Sequence, residues 1–294
     1  MKKSYIDKIK PWQLSVIVTI IGLILSVSTG LILEGKIIKR HIYMPIVCAM
    51  PVAYIFYGRI WKYKNLLKSA NYELEIAHKH LQNEKEKSEQ LLLNILPYPI
   101  AEKLKSTSGT IAQELSNVTI LFADIVGFTS LASKISAKDL VELLNEIFTC
   151  FDRLTGQYDV EKIKTIGDAY FVAGGIPTSS ENDAKNIADM ALAMKQEMQS
   201  MITCSKYSLK IRIGIHKGTV VAGVIGEKKF TYDVWGDTVN TASRMESHGI
   251  PDRIHVSEQV YEALNNMYIF QERGFIEIKG KGKMKTFFLE GKKE

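Results

Sequence analysis

Two aspartates follow apolar, strand-like stretches of the chain. Asp124 ends the run VTILFA at residues 118–123, and Asp168 lies in the tip IGDAY of a hairpin predicted within residues 160–175. An aspartate beside a glycine often satisfies turn backbone and nothing more. Two carboxylates from neighbouring strands, with no histidine or cysteine near them, suit a hard cation such as Mg²⁺ or Mn²⁺. They predict a site for two such ions, an arrangement suited to in-line phosphoryl chemistry.

A second polar cluster lies in the segment WGDTVNTASRME, residues 235–246. Asn240 and Arg244 are four residues apart and therefore share one face of the predicted helix. Such a pair can be a surface hydrogen bond and nothing more. Beside two metal-binding aspartates, a guanidinium is well suited to charge that develops on a phosphorus-bound oxygen.

The apolar pattern around these residues predicts an α+β domain over residues 116–294. From residue 118 the predicted order is strand, helix, strand, strand, helix, strand, which is the ferredoxin-like arrangement with helices on one face of an antiparallel sheet. The helices are predicted at residues 127–158 and 183–201, and residues 209–215 and 220–225 are predicted to pair as a second hairpin. A helix from Asp237, a short strand, a short helix and two final strands follow.

The first 58 residues contain two apolar runs that predict a membrane anchor. Residues 14–33 are twenty residues without a charge, about the length that spans a hydrocarbon core, and residues 42–57 form a shorter run with Pro45 and Pro51. A signal peptide is the alternative for the first run. The flanking basic residues predict that both ends lie in the cytoplasm, although Lys36, Lys39 and Arg40 act against this: Lys2, Lys3, Lys8, Lys10, Arg59, Lys62, Lys64 and Lys68. We therefore expect two transmembrane helices, a multi-pass location in the cell inner membrane, and an unidentified membrane-protein partner.

Residues 59–115 are predicted to form a coiled-coil helix and a transducing linker. Between residues 63 and 95 a seam of mostly apolar residues recurs at spacings of three and four: Leu67, Ala70, Leu74, Ala77, Leu81, Glu84, Ser88 and Leu91. Glu84 and Ser88 interrupt the seam, so a solvated single helix is the alternative. Pro97 and Pro99 end the helix. A parallel two-stranded coiled coil, and hence a homodimer, is favoured.

Composition excludes several other classes of site. The 294-residue chain carries a net charge of +6, but no arginine-rich stripe with stacking aromatics, so no nucleic-acid partner is expected. Cys48, Cys150 and Cys204 form no CxxC pair, which argues against a disulfide framework or a thiolate zinc site. His216 is interpreted as a structural residue at a strand end.

Four motifs together resemble the class III nucleotidyl cyclases. They are FADIVGFT, EKIKTIGDAYFVAGG, IRIGIHKG and YDVWGDTVNTASRME, in the order of that family, and LLLNILPYPIAEKLK is similar to its transducing segment, so that the resemblance covers roughly residues 91–289. It implies cyclisation of a nucleoside triphosphate to the 3′,5′-cyclic monophosphate with release of pyrophosphate. Asp124 and Asp168 match the two metal-binding positions, and Asn240 and Arg244 match residues that position the ribose and stabilise the transition state.

The resemblance also implies how the triphosphate is held and how the chains assemble. Arg212 matches a phosphate-contacting arginine and Lys279 a triphosphate-binding lysine, with Lys281 close by. In this family the sites form between two catalytic domains, so a homodimer of this chain is expected to hold two shared sites.

The base can be argued from chemistry at two further matching positions. Adenine offers an acceptor at N1 and a donor at N6, which a lysine and an aspartate complement; guanine presents the reverse. Lys164 and Asp233 stand where the family reads the base, so ATP is the expected substrate. A guanylate cyclase and a catalytically weak membrane signalling or scaffold protein are the alternatives. The Gly-Gly-acidic-acidic-Phe signature of diguanylate cyclases does not occur in the sequence.

Overall fold

The computed structural model describes residues 11–34, 39–106, 111–204, 209–226 and 230–293. The chain divides into two compact units, Met1–Glu89 and Gln90–Glu294. The first unit contains helix α1, Pro11–Glu34, and most of helix α2, Lys39–Leu93. The predicted seam lies on α2, where Leu67, Leu74 and Leu81 are each more than 60% exposed. The coiled coil itself stays a prediction.

The two apolar runs at the start of the chain do not form the two helices that their sequence predicts. Residues 14–33 lie in α1, but residues 42–57 belong to the 55-residue α2 and are not a separate helix. Among the residues described, no helix is long and apolar enough to cross a membrane, so the two predicted transmembrane helices are not supported. The second run is too short to span a membrane by itself, because its sixteen uncharged residues are fewer than the roughly twenty that a hydrocarbon core requires.

The second unit is an eight-stranded sheet with helices on both faces. Its strand order is β2-β3-β1-β4-β6-β8-β7, and β5 pairs with β4. The elements in chain order are α3 Tyr98–Ser106, β1 Ile111–Val126, α4 Phe128–Ala132, α5 Ala137–Tyr158, β2 Glu161–Ile166, β3 Ala169–Gly174, α6 Asp183–Cys204, β4 Lys210–Ile225, β5 Thr231–Trp235, α7 Asp237–Ser247, β6 Ile254–Ser257, α8 Glu258–Leu264, β7 Tyr268–Ile278 and β8 Gly282–Lys292.

The predicted ferredoxin-like order runs from β1 to β4, with β1 antiparallel to both β3 and β4. Because alternate residues of a strand point to opposite faces, β1 contributes to two cores. Leu121 and Ala123 pack with α5, α6 and α8, whereas Ile120 and Phe122 pack with α3, β5 and α7. The two helices of the ferredoxin-like unit, α5 and α6, lie on the same face as expected, and α3 and α7, which lie outside that unit, cover the second face.

Two predicted element boundaries also differ from the structure. The helix predicted at residues 127–158 is broken into α4 and α5, because the Ser136 hydroxyl accepts a hydrogen bond of 3.1 Å from the Asp139 backbone N–H and caps α5. The hairpin predicted at residues 209–225 is instead the single strand β4. Its glycines serve close packing: a Cβ on Gly214 would lie 1.9 Å from the Glu246 backbone nitrogen, and one on Gly218 would lie 2.5 Å from the Thr238 hydroxyl.

Candidate active site

The two predicted metal ligands lie side by side. Asp124 is near the end of β1, and Asp168 occupies the β2–β3 turn, where Gly167 adopts φ 63°, a conformation that glycine takes without strain. Since Ala123 pairs with Tyr170 of β3, the turn brings Asp168 beside Asp124. Burial, with the negative charges of Glu246 and Asp168, raises the pKa of Asp124 to about 7, and Arg212 opposes this shift.

Arg212 links these carboxylates to helix α7. It lies directly opposite Asp124 in the β1–β4 register. Its Nη2 donates to Asp124 Oδ2 at 3.2 Å, and its Nε donates to Glu246 Oε1 at 2.6 Å. Glu246 is largely buried, and burial raises its pKa although Arg212 opposes that rise. Arg212 is thus placed at the candidate metal site, as its predicted role as a phosphate contact requires.

The carboxylate pair fits hard divalent cations. Within the described ranges, no group of three or more His, Cys, Asp and Glu side chains forms a metal cage. Mg²⁺ is commonly held by only one or two carboxylates together with substrate phosphates, so two adjacent aspartates are a suitable donor set. A bound cation would also relieve the repulsion that Asp168 exerts on Asp124.

The two predicted base-reading residues are in direct contact. Lys164 on β2 forms an ion pair with Asp233 on β5, and the second Asp233 oxygen accepts a hydrogen bond of 2.9 Å from the Val234 N–H. The Asp233 side chain is only 13% exposed, whereas that of Lys164 is 37% exposed. Each chain therefore carries a preformed donor and acceptor side by side.

Asn240 and Arg244 stand apart from both of these groups. They lie on α7, which begins after Gly236 at φ 134°. Asn240 is exposed and Arg244 half-buried. Neither side chain hydrogen-bonds to any residue that the structure describes. The charges that shift the pKa of Asp124 are those of Glu246, Asp168 and Arg212, so Arg244 is not among the groups that act on this carboxylate. The structure thus brings together five of the predicted site residues in two groups, Asp124 with Asp168 and Arg212, and Lys164 with Asp233, and it leaves Asn240 and Arg244 unengaged.

The two candidate triphosphate lysines differ in their contacts. Lys279 is exposed in the β7–β8 turn and has no hydrogen bond within the described part of the chain. Lys281 forms an ion pair with Asp237, the first residue of α7. His216 is not at a strand end but within β4, where its Nδ1 lies 2.7 Å from the Ser257 hydroxyl and burial lowers its pKa to about 4. It is a buried structural residue.

Sequence reasoning missed two residues of the site, Glu246 and Asp237. Both lie inside the segment WGDTVNTASRME, but neither has the spacing of a recognisable pair with a partner nearby in sequence. The partner of Glu246, Arg212, is 34 residues away, and that of Asp237, Lys281, is 44 residues away. Gly214 was the one signal in the sequence that pointed toward Glu246. A glycine inside a strand often marks a close approach of another backbone, and here the backbone that approaches is that of Glu246.

Comparison with known proteins identifies the family. The adenylate and guanylate cyclase catalytic domain matches residues 110–291. The chain is 44% identical over 227 residues to the guanylate cyclase soluble subunit beta-2 of Rattus norvegicus, covering 76% of this chain and 33% of that protein. It is 43% identical over 214 residues to an adenylate cyclase of Mycobacterium tuberculosis, covering 72% of this chain and 48% of that protein.

Solved structures agree. The guanylate cyclase domain of RhGC from Catenaria anguillulae, in complex with GTP, is similar with a TM-score of 0.60 and 36% identity, covering 62% of this chain and 100% of that one. The adenylyl cyclase CyaB from P. aeruginosa is similar with a TM-score of 0.59 and 27% identity, covering 62% and 97%.

The fold and site are those of a nucleotide cyclase catalytic domain. The chain belongs to the adenylate and guanylate cyclase family, the class III nucleotidyl cyclases. It spans about a fifth to a half of the length of the curated relatives it matches.

Proposed function

We propose that the chain is an adenylate cyclase, which converts ATP to 3′,5′-cyclic AMP and pyrophosphate. The observation that carries this proposal is the contact between Lys164 and Asp233. An ammonium donor beside a carboxylate acceptor complements adenine N1 and the N6 amine. Guanine would leave both partly buried groups facing the wrong edge, which costs affinity because polar groups would stay unpaired.

Guanylate cyclase activity is the second candidate, because several relatives are guanylate cyclases by name. Those relatives are 41% to 44% identical to this chain, which is close to the 43% identity of the adenylate cyclase of Mycobacterium tuberculosis. The base preference rests on the residues at positions 164 and 233, and these favour adenine. Both candidates are nucleotide cyclases, and they differ only in which purine the site accepts.

The proposed reaction forms a bond between the ribose 3′-oxygen and the α-phosphorus and breaks the bond from that phosphorus to the β-phosphate. Asp124 and Asp168 would hold two Mg²⁺ or Mn²⁺ ions, which supply a lowered pKa for the attacking hydroxyl and neutralise the triphosphate. Asn240 orients the ribose. Arg244 donates hydrogen bonds to the oxygens on which charge develops, and Arg212 contacts the phosphates.

We propose that the active sites are shared between the two chains of a homodimer. In a single chain the Asp124 carboxylate has Asp168, Arg212 and Glu246 around it, whereas the Arg244 and Asn240 side chains have no hydrogen-bond partner among the described residues. A second copy would bring its metal pair to this unengaged pair, so that two equivalent sites form. The exposed seam of α2 would hold the two copies side by side as a coiled coil.

We propose that Lys279 is the lysine that binds the triphosphate. It is exposed in the β7–β8 turn and its side chain has no hydrogen bond within the described part of the chain, whereas Lys281 is already paired with Asp237. Lys279→Ala is then expected to raise the KM for ATP about tenfold or more, the loss of a charged contact of roughly 1.5 kcal/mol. Lys281→Ala is the matched control, with a change below about twofold; the reverse order would contradict the assignment.

The location in the inner membrane with the catalytic domain in the cytoplasm stays a prediction, as does a membrane-protein partner. The location rests on the two apolar runs within residues 14–57 and the basic residues that flank them, and the partner on the shortness of the loop between these runs, which leaves little to bind an external ligand. Fractionation of cells that express the full chain tests the location, since recovery of the protein in the soluble fraction would contradict it.

The activity is tested by incubating the purified chain with ATP or GTP and Mn²⁺ and separating the products by chromatography. Cyclic AMP as the main product supports the proposal, and cyclic GMP as the main product would replace it with the second candidate. Asp168→Asn keeps the size of the side chain but removes its charge, so this control should lose most activity while remaining folded. Activity within a few-fold of the unmodified chain would refute the metal assignment.

A further inference from the structure

The Arg212 side chain is held at three separate points. Its Nε donates to Glu246 at 2.6 Å, its Nη2 donates to Asp124 at 3.2 Å, and its aliphatic stem lies against Gly249, where a Cβ would come within 2.8 Å of Arg212 Cγ. A guanidinium has five N–H groups in a fixed planar fork, so about three of them remain for a phosphate. The orientation of the fork decides where these three point.

Glu246 is placed for this contact by the packing of α7 on β4. Gly214 lets the Glu246 backbone nitrogen approach to where a side chain would otherwise stand. The carboxylate is largely buried and reaches Arg212 along the side of the sheet that carries Asp124. Since the close packing involves the backbone of Glu246, shortening its side chain leaves that packing in place.

Arg212 has two competing anionic partners, and this competition matters for the metal site. The shorter hydrogen bond is to Glu246 and the longer one to Asp124. Without Glu246, the half-buried guanidinium would have Asp124 and Asp168 as its nearest counter-charges. A guanidinium paired with both oxygens of Asp124 would then occupy the carboxylate that a cation needs.

We propose that Glu246 is a positioning residue that limits Arg212 to its single, longer hydrogen bond with Asp124 and directs its remaining N–H groups toward the triphosphate. This inference rests on the proposed function, because it takes Asp124 and Asp168 as the cation ligands. Glu246 acts through Arg212, and it does not contact the substrate. Outer ligand-supporting groups of this kind typically change metal affinity by about 10- to 100-fold.

The test measures Mn²⁺ binding to the full chain by titration calorimetry without nucleotide. Four proteins are compared: the unmodified chain, Glu246→Ala, Arg212→Ala and the double variant. Glu246→Ala is expected to weaken Mn²⁺ binding about tenfold. In the Arg212→Ala background the same change should have an effect below about twofold, because the competing guanidinium is gone.

Two further variants serve as controls, one conservative and one remote from the metal site. Glu246→Gln keeps an acceptor for Arg212 Nε but loses the charge, so it should bind Mn²⁺ with an affinity between those of the unmodified chain and Glu246→Ala. Glu290→Ala removes a partner of Arg253 on β8, which β6 separates from β4, and should not change Mn²⁺ binding. Circular dichroism and thermal melting establish that each variant is folded.

The outcomes separate this inference from the proposed function. If the unmodified chain and Asp168→Asn bind Mn²⁺ equally, the metal assignment fails. If Asp168→Asn abolishes binding but Glu246→Ala and Glu246→Gln leave it unchanged, the role of Glu246 fails while the metal site stands. An equal weakening by Glu246→Ala in both backgrounds would mean that the Glu246 charge acts directly, and would also overturn the inference.

Discussion

The strongest prediction concerns the exchange of Lys164 and Asp233 for Glu and Cys, the residues that read guanine in this family. The two side chains touch, and Asp233 is the more buried of the pair. Lys164→Glu alone places a second carboxylate against Asp233, so a repulsion replaces an ion pair. Asp233→Cys alone leaves the lysine without its counter-charge. Each single change therefore damages the site beyond the loss of one contact with the base.

The magnitude follows from this contact. A site built to hydrogen-bond its substrate rejects a mismatched one by about 10⁴ to 10⁵, so we expect each single change to lower kcat/KM for ATP by about 10³, which is about 4 kcal/mol. Independent effects would multiply to about 10⁶ in the double variant. Because the side chains are in contact, we expect the double variant to lose only about 10³ to 10⁴, a coupling of roughly 3 kcal/mol, and to prefer GTP over ATP.

The assay measures kcat/KM for ATP and for GTP, with Mn²⁺, on the unmodified chain, both single variants and the double variant. Lys162→Glu is the matched control, since Lys162 lies on the same strand but pairs with Asp152 at 2.6 Å; its ratio of ATP to GTP turnover should not change. Multiplicative losses, together with a double variant that still makes only cyclic AMP, would refute the assignment of these two residues as base readers.

Three further predictions test the shared site, the packing of α7 and the pH response. An equal mixture of Asp168→Asn and Arg244→Ala chains, each inactive alone, should regain about a quarter of full activity, because half of randomly formed dimers are mixed and each has one intact site; no recovery with proven heterodimers would contradict it. Gly214→Ala should lower the free energy of unfolding by about 3 kcal/mol, whereas Gly156→Ala, with open space around it, should raise it slightly; equal melting temperatures would contradict this. Burial lowers the pKa of His255 to about 4, as it does that of His216, so each histidine should cost roughly 3 kcal/mol of unfolding stability as pH falls from about 6.5 toward 4 in urea titrations; His255→Asn should remove about half of this histidine-dependent loss, and an unchanged pH dependence would contradict it.

Several elements of the fold could be predicted from short stretches of the sequence. The hairpin that presents Asp168 was predictable because a stretch of mixed apolar and charged residues and a continuous apolar stretch are joined by a glycine-containing turn, and the structure places β2 and β3 there. The helix at residues 183–201 was predictable from its apolar face, and α6 covers Asp183–Cys204. These elements are decided by residues within a dozen positions of one another.

Features decided by distant parts of the chain were not predictable. Residues 209–225 were predicted as a hairpin because glycines usually signal turns, yet Gly214 and Gly218 are needed to admit α7 and leave β4 unbroken. The covering of the second sheet face by α3 depends on Ile100 and Ala101 meeting residues of β1 and β3. No local periodicity contains that information.

Contacts between distant parts of the chain also limited what could be predicted of the candidate active site. Asp124, Asp168, Lys164 and Asp233 were found by residue type and by matching motifs, and the structure pairs them as two contacts. Glu246 was missed because its importance arises from Arg212 on another strand. A sequence motif identifies groups that face a substrate more easily than groups that hold those residues in place.

The geometry of α7 itself argues for a site built from two chains. Successive residues of an α-helix are about 100° apart, so Asn240 and Arg244 lie within about 40° of each other, whereas Arg244 and Glu246 are separated by about 160°. Glu246 faces Arg212 and the aspartates of its own chain. The catalytic pair must then point away from those aspartates, since one helix cannot present opposite faces to the same place. We therefore expect a cation held by Asp124 and Asp168 to meet the Arg244 side chain of a second copy, which is the arrangement that the mixed-dimer experiment tests.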